Sequence, residues 1–343
     1  MRTALILLLC VFFLSAASTP LVGSESASKN SYDVLFINGR ILDGTGNPWF
    51  YGDVAVKDGR IAAVGHLKGR ADAVRVIDIR GRIIAPGFID IHCHAYDQVA
   101  NENIWTGENE KRFFAPNFVS QGVTTLVSNQ CGYSPIDIGL QRKTLDSKGT
   151  GPNVVLLIGH NAVRRRVMQG DWERPATGDE IRRMRELIRQ AMQDGASGLS
   201  SGLEYVPAIW STNDEVAALV EEIVPFQGMF IAHERASGLS PMWYVPSQHE
   251  PGPPNMLGNI RDLIEVSART GATVVATHIK ARGADFWGGS RAIISQIERA
   301  RARGINIWAD GYPYNSSGSD GSTVLIPRWA LGRSFQTTLA QNL

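Results

Sequence analysis

Two histidines separated by a single residue are the first feature of the sequence that could do chemistry. His92 and His94 lie in an apolar, strand-like segment. Because side chains alternate along a strand, both imidazoles point to the same face. Imidazoles are frequent ligands of Zn²⁺, so the pair could supply half of a metal site. A pair of buried, hydrogen-bonded histidines is the alternative for this pattern taken alone.

The positions of the other histidines favour the metal site. Of the seven histidines in the chain, five fall at or near the carboxyl end of a predicted strand: His92, His94, His160, His233 and His278. In a barrel of parallel strands, those ends form the face that carries the active site. His160 is expected either behind the metal site or in a loop cap. His66 and His249 fall in predicted loops and receive no role.

Cys131 could add a thiolate to these imidazoles. It follows the second predicted strand, and Gly132 permits a sharp turn that would aim the thiol inward. A thiolate beside imidazoles suits Zn²⁺, whereas a small buried cysteine without a role is the alternative. Cys93 alternates away from His92 and His94 and is expected to face the helix layer. A disulfide between the two cysteines is therefore not expected.

The elements that would position these residues alternate between strands and helices. Strands are predicted at 88–94, 123–129, 154–160, 198–203, 229–233, 273–279 and 305–310. Helices are predicted at 179–193, about 260–270 and about 291–303, and the sequence Thr212-Asn213-Asp214-Glu215 predicts a capping box. This alternation predicts an α/β fold, a (β/α)₈ TIM barrel truncated after strand 7. A doubly wound sheet is the alternative, but no glycine-rich phosphate loop follows the first strand.

The region before the barrel divides into two predicted parts. Residues 29–85 read as a small β domain, in which Asp58-Gly59 predicts a two-residue hairpin turn. Residues 1–28 have the layout of a signal peptide, with a positive start, an apolar core and small residues after it. The core is shorter than the ~20 residues that span a membrane. We therefore expect export to a secreted or periplasmic location, with the barrel over 86–343 incomplete at its C-terminus.

Composition limits the classes of partner. The 343 residues are 43% hydrophobic and 20% charged, with a net charge of +1. This is the composition of an ordinary globular protein. Nothing in it favours binding to nucleic acid or to an anionic membrane surface, so a small-molecule substrate is expected.

Several longer motifs resemble one family. The sequence over about 32–320 is similar to the amidohydrolase superfamily and, within it, to the N-acyl-D-amino-acid deacylase (D-aminoacylase) group. The motifs that carry the resemblance are Ala85-Pro86-Gly87-Phe88-Ile89-Asp90-Ile91-His92-Cys93-His94, Gly122-Val123-Thr124-Thr125 leading to Asn129-Gln130-Cys131-Gly132, Gly195-Ala196-Ser197-Gly198-Leu199-Ser200-Ser201-Gly202-Leu203-Glu204-Tyr205-Val206-Pro207, Thr277-His278-Ile279-Lys280 and Ala309-Asp310-Gly311-Tyr312-Pro313-Tyr314. Gln130 departs from the family's cysteine turn. The N-terminal β unit resembles the family's half-sandwich.

The resemblance implies a set of site residues. The implied metal ligands are His92, His94, Cys131, His233 and His278. Cys131, His233 and His278 would hold the tight Zn²⁺, and His92 and His94 a second, weaker position. The substrate pocket would be lined by Tyr205, Lys280 and Tyr312, with Lys280 facing the carboxylate of the amino acid. The proton shuttle of the family is an aspartate after the eighth strand, expected beyond Leu343; neither Asp310 nor Asp320 is predicted for that role.

The implied activity is zinc-dependent hydrolysis of the linear amide in N-acyl-D-amino acids. Another amidohydrolase reaction, by a cyclic amidase or a dipeptidase, is a nearby alternative. A truncated, inactive metal-binding product or a non-catalytic zinc protein is the alternative from a different class. Without the shuttle aspartate, residues 1–343 are expected to hydrolyse such substrates poorly. The chain is expected to be either a fragment or a degenerate copy.

Overall fold

A computed structural model describes residues 31–95, 114–238 and 255–316 of the chain. The predicted signal peptide lies outside these residues. The chain divides into two compact units, one ending at Pro86 and the other beginning at Gly87. Each unit contains its own β structure.

The first unit is a five-stranded sheet. Its strands are β1 (Ser31–Ile41), β2 (Phe50–Lys57), β3 (Arg60–Gly65), β4 (Asp72–Asp78) and β5 (Ile83–Ile84). The order is β3-β2-β1-β4, with β5 also paired to β1. The predicted hairpin is present between β2 and β3, where Lys57 pairs with Arg60. Asp58 and Gly59 both have positive φ, 52° and 69°, as the mirror-image turns of hairpins require.

All seven strands predicted for the second unit are present. They are β6 (Phe88–Asp90), β7 (Val123–Ser128), β8 (Asn153–Leu156) with β9 (Ile158–Gly159), β10 (Gly198–Gly202), β11 (Met229–His233), β12 (Thr273–Ala276) and β13 (Ile307–Ala309). The third predicted strand is interrupted at Leu157, so β8 pairs with β7 whereas β9 pairs with β10. Every pairing in this unit is parallel and joins consecutive strands. Within the described residues, β6 and β13 do not pair and the barrel is not closed.

Helices connect these strands. They are α1 (Pro116–Val119), α2 (Ile138–Lys148), α3 (His160–Met168), α4 (Gly178–Gln193), α5 (Asn213–Glu221), α6 (Met256–Thr270) and α7 (Ser290–Ala302). Helices α4, α6 and α7 match the predicted ones to within a few residues. Helix α4 begins with a complete capping box between Thr177 and Glu180. Among the helices described, none is both long and apolar enough to cross a membrane.

The capping box predicted at Thr212 is only half formed. The Thr212 side chain accepts a hydrogen bond from the backbone N–H of Glu215, as a helix N-cap should. The Glu215 carboxylate does not complete the box. It lies instead 2.7 Å from Arg164 Nη1 and 3.0 Å from His160 Nε2, and all three side chains are buried. Burial of a positive side chain on α3 therefore decides where Glu215 points, because an unpaired buried charge is costly.

The strands are packed on both faces. One set of their side chains packs against the helices, including Leu126, Leu199 and Val274. The other set forms a separate small cluster of Val127, Leu157, Ile231 and Val275. Because side chains alternate, Ile231 lies on the same face as His233 two residues later. This second cluster forms the apolar floor beneath the carboxyl ends of the strands.

Candidate metal centre

One sulfur atom lies at the centre of the histidine cluster. Cys131 Sγ is 3.7 Å from Nε2 of His92, His94 and His278, and 3.8 Å from Nδ1 of His233. The structure therefore brings together all five residues that the resemblance implied as metal ligands. Each follows or ends a different parallel strand, apart from His92 and His94, which share β6.

Two of these residues have a backbone conformation that side chains rarely adopt. Cys131 and His278 have φ values of 53° and 41°, in the left-handed region. Such conformations cost roughly 1–3 kcal/mol each and persist only where the surroundings enforce them. In both cases the turn aims the side chain at the cluster instead of continuing the strand. These turns explain why β7 and β12 stop one and three residues before the predicted strand ends.

The Cys131 turn is held by neighbouring strands. Ser200 on β10 donates from its hydroxyl to the Asn129 carbonyl at 2.5 Å and accepts from the Gly132 N–H at 3.1 Å. Gly132 has a φ of 81°, and a Cβ there would collide with the side chain of Asn161. Gln130, the departure from the family pattern, donates to the carbonyls of Ile91 and Val127 at 2.9 and 3.0 Å. The residue thus fits its place, tying the turn to β6 and β7.

His92, His233 and His278 each have a contact on the ring nitrogen that faces away from the sulfur. His92 Nδ1 lies 2.7 Å from Thr277 Oγ1, and His233 Nε2 lies 3.2 Å from Glu204 Oε2. His278 Nδ1 lies 2.9 Å from Lys280 Nζ. Metal-binding histidines commonly donate their second ring N–H to an acceptor, as His92 and His233 can do here. The Lys280 ammonium is a donor only, so its contact with His278 is not of that kind. Glu204 is fully buried and also accepts from Ser237 and Arg282.

The cluster favours neutral imidazoles. Burial, followed by the repulsion of neighbouring imidazoles and of Lys280, lowers the pKa of His92 and of His278 to about 2. Burial likewise holds the pKa of His233 well below its usual value. A neutral imidazole keeps a lone pair on one nitrogen, which is the form that binds a metal.

The donor atoms fit a metal of the zinc type. Tetrahedral Zn²⁺ with one thiolate and one imidazole separates the sulfur and nitrogen by about 3.6 Å, given Zn–S and Zn–N bonds of ~2.3 and ~2.05 Å. The observed separations of 3.7–3.8 Å are close to this value. The donor atoms of His92, Cys131 and His278 also lie within 4.8 Å of one another. Nε2 of His92 is thus as close to Cys131 Sγ as the nitrogens of His233 and His278, the residues implied for the tight position.

The residues implied for the substrate pocket adjoin the cluster. The Tyr205 ring lies 4.2 Å from the His233 ring, and burial raises the pKa of its phenol above the usual value. Lys280 Nζ lies 5.8 Å from the centre of the Tyr312 ring. Burial lowers the pKa of Lys280. A half-buried ammonium beside Tyr312 is suited to hold one carboxylate.

The structure adds residues that the sequence analysis did not assign. Glu204 and Thr277 stand behind His233 and His92, although both lie inside quoted motifs. Glu234 follows His233 and is buried, and its carboxylate oxygens accept no hydrogen bond from the residues that the structure describes. Burial raises its pKa to about 8. His160 lies outside the cluster, where it begins α3 and contacts Ser201 Oγ at 2.8 Å. Only the alternation of hydrophobic and polar residues near the strand ends could have pointed to these positions.

Comparison with known proteins agrees with this architecture. Residues 75–239 match the sequence profile of the Amidohydrolase family. The chain is 31% identical over 325 residues to D-aminoacylase of Alcaligenes xylosoxydans xylosoxydans, covering 88% of this chain and 60% of that protein. It is 29% identical over 324 residues to N-acyl-D-glutamate deacylase of the same organism, with the same coverage.

A solved structure of a deacylase is also similar to this chain. The crystal structure of N-acyl-D-glutamate deacylase from Bordetella bronchiseptica, complexed with zinc and a phosphonate inhibitor, superimposes with a TM-score of 0.70 at 28% identity. The superposition covers 83% of this chain and 59% of that one. The described part of the second unit thus shares the TIM-barrel-type fold of these hydrolases.

Residues 75–239 resemble the amidohydrolase family. Within the amidohydrolase superfamily, the chain resembles the N-acyl-D-amino-acid deacylase group, and the relatives confirm that interpretation of the sequence. The chain spans about 60% of the length of the relatives that it matches.

Proposed function

We propose that this protein is a zinc-dependent deacylase that hydrolyses the amide bond of N-acyl-D-amino acids. The observation that carries the proposal is the cluster of one thiol and four imidazoles around Cys131 Sγ, at the carboxyl ends of parallel strands. The relatives support the substrate class, because they include D-aminoacylase and deacylases for N-acyl-D-glutamate and N-acyl-D-aspartate.

Each site residue has a role in this proposal. Cys131, His233 and His278 would hold the tight Zn²⁺, with His92 and His94 framing a second position. When bound, Zn²⁺ supplies a Lewis acid for the acyl carbonyl and lowers the pKa of water toward ~7. Lys280 would pair with the substrate carboxylate, while Tyr205 and Tyr312 flank it. The apolar cluster of Val127, Leu157, Ile231 and Val275 lies beneath the metal centre and would exclude water from that side of it.

The finer description of the fold belongs to the same proposal. We propose that β6 to β13, with β8 and β9 as two halves of one strand, are the first seven strands of a (β/α)₈ barrel. The N-terminal sheet would be half of a β-sandwich, and the proposed domain boundary lies at residues 85–86. The consecutive, all-parallel strand order supports the barrel. The proton shuttle would come from an aspartate after the eighth strand.

A substrate panel tests the activity. Zinc-loaded protein is assayed as residues 1–343 and as the same chain joined to the C-terminal segment of D-aminoacylase. We expect hydrolysis of N-acetyl-D-amino acids, not of their L-enantiomers. We expect the joined form to be faster by roughly 10²–10⁴-fold, the usual contribution of a positioned acid–base group. A preference for L-substrates or cyclic amides would keep the amidohydrolase class and reject the deacylase. Zinc binding without turnover by either form would favour the non-catalytic alternative.

Export is a second part of the proposal. The positive start, apolar core and small residues over 1–28 support cleavage of a signal peptide between Ser18 and Ser28. We expect the mature protein in the periplasm or the medium. N-terminal sequencing of the protein purified from its own cells measures this directly. Recovery of the chain with Met1 intact would contradict the proposal.

A further inference from the structure

A carboxylate on β13 lies close to two histidines that come from other strands. Asp310 directly follows β13, and its backbone bonds to both sides of the Thr277–His278 turn: its N–H donates to Ala276, and its carbonyl accepts from Ile279. Its carboxylate accepts from the His278 backbone N–H. The same carboxylate lies 2.9 and 2.8 Å from Thr277 Oγ1. Asp310 thus holds the left-handed turn that presents His278.

Thr277 connects the Asp310 carboxylate to His92, which follows β6. Its side chain is fully buried, and its hydroxyl lies between Asp310 and His92 Nδ1, 2.7 Å from the latter. A hydroxyl has one proton to donate, and an ionised carboxylate only accepts. The Thr277 proton therefore goes to Asp310, and the hydroxyl oxygen must accept from His92. The direction of both hydrogen bonds is fixed by this chain of three groups.

These two hydrogen bonds determine the state of the other ring nitrogen of His92, Nε2. With the proton on Nδ1, the lone pair of neutral His92 is on Nε2, the atom that lies 3.7 Å from Cys131 Sγ. The opposite tautomer would place an N–H toward the sulfur and could not bind a metal.

We infer that Thr277 is a positioning residue that, through its hydrogen bond to Asp310, holds His92 in the Nδ1–H tautomer and aims Nε2 at the metal centre. This inference rests on the proposed function for its purpose, but its geometry does not depend on catalysis. Thr277 touches neither the sulfur nor the substrate pocket residues in the described contacts.

Nuclear magnetic resonance can measure the tautomer without metal or substrate. Protein labelled with ¹⁵N-histidine is studied metal-free at neutral pH, and long-range ¹H–¹⁵N correlations identify which ring nitrogen is protonated. A His92→Gln spectrum serves only to assign the His92 signals. We expect His92 in the Nδ1–H form in the wild-type protein and a mixture of tautomers in Thr277→Val, which keeps the shape and removes the hydroxyl. Thr277→Ser, which retains the hydroxyl, should match the wild-type protein.

Metal affinity gives the second measurement. Titration of Zn²⁺ against a chelator should show a 10–100-fold loss at the site that includes His92 in Thr277→Val, the usual effect of removing such a partner. Thr277→Ser should change it by less than about threefold. A wild-type His92 in the Nε2–H form, or a Thr277→Val protein with unchanged tautomer and affinity, overturns the inference. If Thr277→Val does not fold, the tautomer of His92 in the wild-type protein still tests the inference. The expected tautomer in a protein that binds no zinc would reject the proposed function alone.

Discussion

Replacing Cys131 with alanine is expected to remove most of the zinc from the purified protein. Among the described residues, Cys131 Sγ lies within 3.7–3.8 Å of a ring nitrogen of all four imidazoles, so its loss removes a ligand at the centre of the cluster. A thiolate also supplies the negative charge that offsets the dication. Elemental analysis after dialysis against a weak chelator measures the effect. We expect the zinc content of Cys131→Ala to fall to below about one tenth of the wild-type value.

Cys93 offers a matched control for this experiment. It is as deeply buried as Cys131, and neither cysteine forms a disulfide within the described part of the chain. Its sulfur lies 3.3 Å from the Ser128 hydroxyl, on the helix side of the strand, in agreement with the predicted alternation. Cys93→Ala should therefore keep its zinc. Equal zinc contents in the two alanine variants would contradict the assignment of Cys131, and a loss in both would point to a general effect on folding.

Replacing Glu215 with alanine is expected to cause a large loss of stability in the second unit. Its carboxylate is the charged partner of Arg164, whose side chain has no exposed surface. Breaking a buried ion pair by removing one partner typically costs about 3–5 kcal/mol, because the other charge stays buried. Arg164 also donates to the carbonyls of Pro207, Trp172 and Arg174, so a value near the lower end is expected. Urea unfolding measures the change.

An exposed ion pair provides the comparison for Glu215. Arg182 and Glu186 on α4 are 3.3 Å apart, with side chains 62% and 55% exposed. Glu186→Ala should change the free energy of unfolding by less than about 1 kcal/mol, since solvent screens such pairs. If Glu215→Ala unfolds the protein altogether, Glu215→Gln gives a graded measurement. Similar midpoints for the Glu215 and Glu186 variants would show that the buried pair is not a main support of α3 and α5.

The sequence was sufficient for features that depend on local periodicity. The alternation of side chains on a strand predicts that His92 and His94 face one way and Cys93 the other. The order of the strands and the spans of α4, α6 and α7, to within a few residues, follow from the same patterns. These interpretations needed no knowledge of which strand lies beside which.

Features that depend on distant neighbours were not predictable in this way. Glu215 has the spacing of a capping box, but its partner Arg164 lies 51 residues away, and a buried charge outweighs a surface cap. Thr277 owes its contact with Asp310 to the register in which Ala276 pairs with Ala309. No local sequence pattern predicts that register. The contact of Thr277 with Asp310 therefore depends on the pairing of β12 with β13.

The spread of the cluster over separate strands also bears on how the protein folds. The sulfur and the His278 nitrogen that face each other are separated by 147 residues of chain. Closing such long loops is slow, and parallel strands must dock through their crossover helices before the ends meet. Zinc therefore cannot nucleate this fold as it does in zinc fingers, where the ligands are close in sequence. Here the ion would enter late, and its uptake would report that strands as far apart as β6 and β12 have already assembled.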